Sequence, residues 1–146
     1  MDAIEKIRTS LKELIIQRDF LRNHLIAVYL FGSVVKGRER EKSDIDLAFV
    51  FDENLYKKDP FTTLQEAEMM SVEMGEKLQK VIDVIILNGA SLSFAYHTVR
   101  SGICIYEGNT ADRILYEVAL DNKYQDFKPF IKELREIKRK TLIGRY

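Results

Sequence analysis

The chain predicts an α/β (α+β) domain in which a mixed central sheet of about four strands is flanked by helices. Three observations carry that prediction. Apolar runs of strand length recur at Leu25 to Phe31, Asp44 to Phe51, Val81 to Leu87 and Ile103 to Tyr106. The segments between them place apolar residues at helical spacing. At 146 residues, with 46% hydrophobic and 32% charged, the chain suits one core-forming domain over residues 1–146.

The elements follow in order. Asp2, with Glu5 three residues on, is an N-cap pair, and Ile4, Ile7, Leu11, Leu14 and Leu21 carry one amphipathic helix to about Asn23. Leu25 to Phe31 is a buried strand that Gly32-Ser33 ends. Val34 to about Lys36 is expected to form a short helical turn before Gly37, and the charged stretch Arg38 to Ser43 a loop. Asp44 to Phe51 is the second strand. A polar stretch then leads to Asp59, an N-cap with Pro60 at the first helical position. Leu64, Ala67, Ser71, Met74 and Leu78 mark the inward stripe of that helix. Val81 to Leu87 is apolar on both faces, which predicts a central strand. Asn88-Gly89 ends it. Ser91 opens a short helix to about Arg100, closed by Gly102, and Ile103 to Tyr106 is a short fourth strand. A helix from Asn109 or Thr110 is expected to run to about Lys123. Pro129 is expected to interrupt the pattern and to open a basic C-terminal helix from about 130 to Lys140.

Charge and composition exclude several function classes. A net charge of zero and a pI near 6.7 rule out a general polyanion binder and argue against nucleic acid as direct substrate. The one cysteine, Cys104, suits a buried strand thiol and makes neither a disulfide framework nor a zinc site. No apolar stretch approaches the ~20 residues that cross a bilayer, and the N-terminus lacks a signal-peptide core, so a cytoplasmic location is expected. His24 and His97 lack metal-ligand spacing. Tyr96 and Arg100 share a helix face, where packing and helix-end charge explain them more simply than contact with a base.

The chemistry lies in Gly32-Ser33 followed, ten residues later, by Asp44-Ile45-Asp46. A tight Gly-Ser turn after a strand presents backbone N–H groups and a hydroxyl to a phosphate. Two Asp at i and i+2 of a strand share a face, about 6.5–7 Å apart at Cα. Like charges held that close call for a cation between them. Phosphate cradle and metal carboxylates together read as a nucleotide-handling site. Lys36, Arg38, Arg40 and Lys42 ring the same loop. Arg38 and Arg40 alternate with Glu39 and Glu41, which suits a self-paired loop as well as triphosphate contact.

These residues resemble the DNA polymerase β-like nucleotidyltransferases, whose signature is a Gly-Ser turn followed by Asp-x-Asp. More narrowly, Tyr29 to Gly37 and Ser43 to Leu47 are similar to the minimal nucleotidyltransferases (MNT) encoded beside HEPN-domain ribonuclease toxins. Asp83, in Val81-Ile82-Asp83-Val84-Ile85, matches the third carboxylate of that family. The resemblance implies catalytic and metal-binding roles for Asp44, Asp46 and Asp83 with two Mg²⁺ ions. It implies nucleotide binding by Gly32, Ser33 and Lys36 and ATP as substrate. Lys36 stands where the family commonly has Arg, and supplies a point charge rather than a fork. Asp83 would complete the metal site nearest the acceptor hydroxyl and help deprotonate it.

The chain is too short to carry the extra domains of a templated polymerase, so its acceptor must be presented by another molecule. The resemblance implies that this is the cognate HEPN toxin, a tyrosine hydroxyl of which receives AMP and whose ribonuclease activity is thereby silenced. Two alternatives stand beside it: a stoichiometric binding antitoxin with a vestigial nucleotide site, and a nucleotidyltransferase acting on a small molecule or an RNA end. From Lys128 to Tyr146 seven basic residues face Glu133 and Glu136. That tail is either a solvated helix face or a docking surface for an acidic partner or RNA.

Overall fold

The computed structural model describes residues 2–32, Val35 and residues 44–143. Four strands form one mixed sheet in the order β3-β2-β1-β4: β1 (Leu25–Phe31), β2 (Ile45–Phe51), β3 (Ile82–Ile86) and β4 (Ile103–Glu107). β1 runs antiparallel to β2 and β4, and β2 runs parallel to β3. The helices are α1 (Ala3–Ile16), α2 (Asp19–His24), α3 (Glu53–Lys58), α4 (Pro60–Leu78), α5 (Leu92–Ser101) and α6 (Thr110–Ile143). The expected mixed α+β architecture is therefore the one observed.

Alternation along the strands sorts the core into two layers. Val28, Leu30, Leu47 and Phe49 point toward α1 and α4, where Leu11, Ile15, Met70 and Met74 close over them. Ala27, Tyr29, Ala48 and Val50 point to the other face and meet Ala95 of α5 and Leu120 of α6. Caps act where the sequence places them. Asp2 accepts from Glu5 N–H at 2.8 Å, Asp59 from Thr62 N–H at 3.1 Å and Ser91 from Phe94 N–H at 3.2 Å.

Five expectations are corrected. The first helix breaks at Gln17-Arg18, because Arg18 is extended and sends its guanidinium to Glu66 (3.3 Å) and Glu73 of α4. The stretch after β2 is not irregular, since Asp52 caps α3 through Leu55 N–H at 3.0 Å. The stripe of α4 is rotated: Thr63 and Met70 are buried with Ala67, Ser71 and Met74, whereas Leu64 is exposed. β3 is an edge strand, with Val81 61% and Ile85 37% exposed, so its apolar composition does not mark a central position. Finally, α6 runs unbroken through Pro129. Helix-forming residues on both sides outweigh the one hydrogen bond that proline removes.

Candidate active site

Register brings the motif together. Phe31, the last residue of β1, pairs with Asp46 of β2, and Asp46 pairs with Asp83 of β3. The three positions form one row across the sheet, and Gly32 follows directly. Asp44 lies just before β2 and is exposed; Asp46 is half-buried and Asp83 exposed on the edge strand. Asp44 and Asp46, two apart, project to the same face. The edge position of β3 leaves Asp83 exposed, which lessens but does not remove the desolvation that a central strand would impose.

Gly32 is bound to this row by two constraints. Its φ of +84° lies in the left-handed region that side chains disfavour. A Cβ there would collide with Oδ2 of Asp46, with the Asp46 Cγ only 3.2 Å away. The turn at the end of β1 and the carboxylate of β2 therefore touch, and only glycine permits it.

The electrostatics follow from that crowding. Burial, then the charges of Asp83 and Asp44, hold the Asp46 carboxyl above the usual carboxylate range. Asp83 is raised as well, first by desolvation, then by the charge of Asp44 and by a hydrogen bond to its side chain. Asp46 and Asp83 thus resist ionisation beside Asp44 unless a cation joins them. Their hard oxygen donors suit Mg²⁺. Among the described residues no group of three or more His, Cys, Asp or Glu is drawn together tightly enough to hold a metal ion, so Asp44, Asp46 and Asp83 share one end of the sheet without forming a finished ligand set. Ser33, Lys36, Arg38, Arg40 and Lys42, and with them the expected turn over Val34 to Lys36, lie outside the described residues.

Other side chains take structural places. Tyr96 stacks on Tyr124 of α6 at 3.8 Å and 7°, with Arg100 5.9 Å over its ring, which matches the packing reading. His97 lies 3.3 Å from the Tyr124 hydroxyl. Cys104 is half-buried in β4, its thiol pushed up by burial. Sequence reasoning passed over three residues, one beside the site and two that hold the sheet elsewhere. Phe94 of α5, 39% exposed, meets Phe31 edge-to-face at 6.1 Å and forms an aromatic wall beside Gly32. Its only signal was an exposed aromatic in the first turn after the Ser91 cap. Asn88 bonds both backbone groups of Phe51 (2.8 and 2.9 Å) and Glu53 (2.9 Å), tying the end of β2 to the turn after β3. Glu117 accepts from the buried Tyr29 hydroxyl at 2.6 Å, a contact 88 residues apart that no local pattern announces.

Comparison with known proteins agrees with this geometry. The family described as "Polymerase beta, Nucleotidyltransferase" matches residues 11–111. A chain of a toxin–antitoxin crystal structure with AMP-PNP superposes at a TM-score of 0.62 and 20% identity, over 88% of this chain and 98% of that one. A chain of the MntA–HepT toxin–antitoxin structure gives 0.57 and 18%, over 88% and 97%. A chain of the complex between tri-AMPylated Shewanella oneidensis HEPN toxin and MNT antitoxin gives 0.55 and 18%, over 88% and 98%. No curated protein matches the chain.

Proposed function

The chain belongs to the polymerase β nucleotidyltransferase family, and from that premise we propose that it is a Mg²⁺-dependent protein adenylyltransferase acting as an antitoxin. It transfers AMP from ATP to a tyrosine hydroxyl of a HEPN-domain toxin. The observation that carries the reading is the row Gly32–Asp46–Asp83, with Asp44 beside it, at the open end of the sheet. The similarity to toxin–antitoxin complexes, one with AMP-PNP and one with an AMPylated toxin, supports the nucleotide and the acceptor class.

The residues divide the work. Asp44 and Asp46 would hold two Mg²⁺ ions against the triphosphate, and Asp83 would complete the site toward the acceptor. Bound there, the ions neutralise charge on the entering and leaving oxygens. Gly32 lets the backbone approach the phosphates closely, and Ser33 and Lys36 contribute a hydroxyl and a positive charge. The acceptor oxygen forms a bond to the α-phosphorus as the α–β bridging bond breaks and pyrophosphate leaves. Asp83, held above the ordinary carboxylate range when free, is placed to take the hydroxyl proton. Phe94 stands at the mouth of the same end, where an adenine ring could stack.

The test is mass spectrometry of a HEPN-domain toxin after incubation with this chain, ATP and Mg²⁺. The expected result is a gain of one or more AMP masses on tyrosine, lost in Asp44→Ala with Asp46→Ala. Full neutralisation by that double variant at equal expression would favour a binding antitoxin. Turnover on an RNA end or small molecule without any protein partner would favour the third reading.

A further inference from the structure

The far half of α6 is left uncovered by its own domain. From Gln125 to Leu142 every residue is exposed except Ile131, which is partly so. That stretch is about 26 Å of helix at 1.5 Å per residue. It is far from polar: Phe127, Phe130, Leu134 and Ile137 are each 50–54% exposed. Their 3-4-3 spacing is the seam by which one helix receives another.

Contacts fix only the near half of this helix. Arg113, in its first turns, pairs with Glu107 of β4, which stands opposite Ala27 near the start of β1. One turn on, Glu117 meets Tyr29 in the middle of β1. Tyr124 then stacks on Tyr96 of α5. α6 therefore leaves the sheet along α5, and its far half stands clear of these contacts.

Charge selects what covers it. Between residues 126 and 142 six basic side chains (Lys128, Lys132, Arg135, Lys138, Arg139, Lys140) stand against Asp126, Glu133 and Glu136. A second copy would bring the same positive excess against it, whereas an acidic surface would complement it. We propose that residues 126–142 of α6 are the docking arm for the acceptor protein, which lays an acidic amphipathic helix along the Phe127–Phe130–Leu134–Ile137 seam. The proposal rests on the protein-adenylylation reading and adds the means of presentation. Anchoring the acceptor on the same chain that carries the site raises its effective concentration there and makes the attack effectively intramolecular.

The experiment measures binding of the full chain to the full-length HEPN-domain toxin that serves as acceptor by calorimetry, without ATP or Mg²⁺. Two variants are compared with wild type, each checked for helicity by circular dichroism: Leu134→Asp with Ile137→Asp, and Lys128→Glu with Lys132→Glu and Arg135→Glu. Each is expected to weaken binding at least thirtyfold with ATP affinity unchanged, and wild-type binding should weaken as salt rises. Unchanged binding in both variants overturns the proposal. So does a free wild-type dimer that Leu134→Asp dissociates, or displacement of the partner by a single-stranded RNA. The Asp44→Ala, Asp46→Ala variant separates the two claims. It should bind the partner normally, and if it also neutralised fully, the chemistry would fail while the arm stood.

Discussion

At the scale of single residues, Gly32 and Asp46 define one small junction whose two halves can be tested apart. Gly32→Ala forces a left-handed φ on a side chain, at about 1–2 kcal/mol, and drives its Cβ against the Asp46 carboxylate. The expected outcome is a lower thermal midpoint together with an AMP-transfer rate down by roughly a hundredfold or more, since small displacements at a reacting centre cost about that much. A variant that loses neither would mean the turn moves without consequence. Asp46→Asn should separate stability from activity. The Asp46 carboxyl is raised by burial and by Asp83 and Asp44, so the fold favours its neutral form. The contribution of Asp46 to the stability of the metal-free chain is therefore fully present below the ordinary carboxylate range, and is lost as pH rises through the raised value. At pH 7.5 the neutral amide escapes that loss, and the metal-free midpoint should rise by a few °C, on the order expected for a change near 1 kcal/mol. AMP transfer should fall by about a hundredfold or more in the same protein. A lower midpoint in differential scanning fluorimetry would contradict the crowding described above.

At the scale of elements, local chemistry decided what the sequence could reveal. The caps at Asp2, Asp59 and Ser91 were legible because each is a three-residue pattern satisfied by one hydrogen bond. The position of the candidate site was legible for the same reason: Gly32, Asp44 and Asp46 are bound by short spacing, and strand register sets Asp83 opposite Asp46. The place of β3 was not, because an apolar run on an edge strand reads like one at the centre. The unbroken course of α6 was not either, since proline's cost is local and the flanking turns can outweigh it. That last point has a measurable consequence. Proline is about 3 kcal/mol less favourable than alanine within a helix. Pro129→Ala should restore the bond to the carbonyl of Gln125 and slow amide hydrogen exchange around residues 125–135 by up to about a hundredfold. The global midpoint should hardly move, because nearly all of this stretch is exposed. Unchanged exchange there would mean that the helix already frays at this point.

At the scale of the whole molecule, two sets of acids titrate in opposite senses, and this gives the metal site a pH window of its own. Asp46 and Asp83 are raised and work against the metal-free fold as pH rises. Glu107 is lowered, first by its hydrogen bond from Arg113 and then by that from Thr110. Its contribution, which helps hold α6 to β4, is present above the ordinary Glu range and is lost only as pH falls through the lowered value. Asp46 and Asp83 therefore take up protons at a higher pH than an ordinary Asp, and Glu107 at a lower pH than an ordinary Glu. As pH rises the site acids ionise and repel one another, and a bound cation relieves them most. Mg²⁺ with a non-hydrolysable ATP analogue, at about a hundred times its Kd, should stabilise by about 2.7 kcal/mol. For a domain of this size that is a midpoint rise of roughly 5–10 °C at pH 8. The same ligand concentrations at pH 5 should give a clearly smaller rise. Chelation should abolish both, and Asp44→Ala with Asp46→Ala should flatten the pH dependence. An equal rise at the two pH values, or one that survives the double variant, would place the cation away from the row that joins Gly32, Asp46 and Asp83.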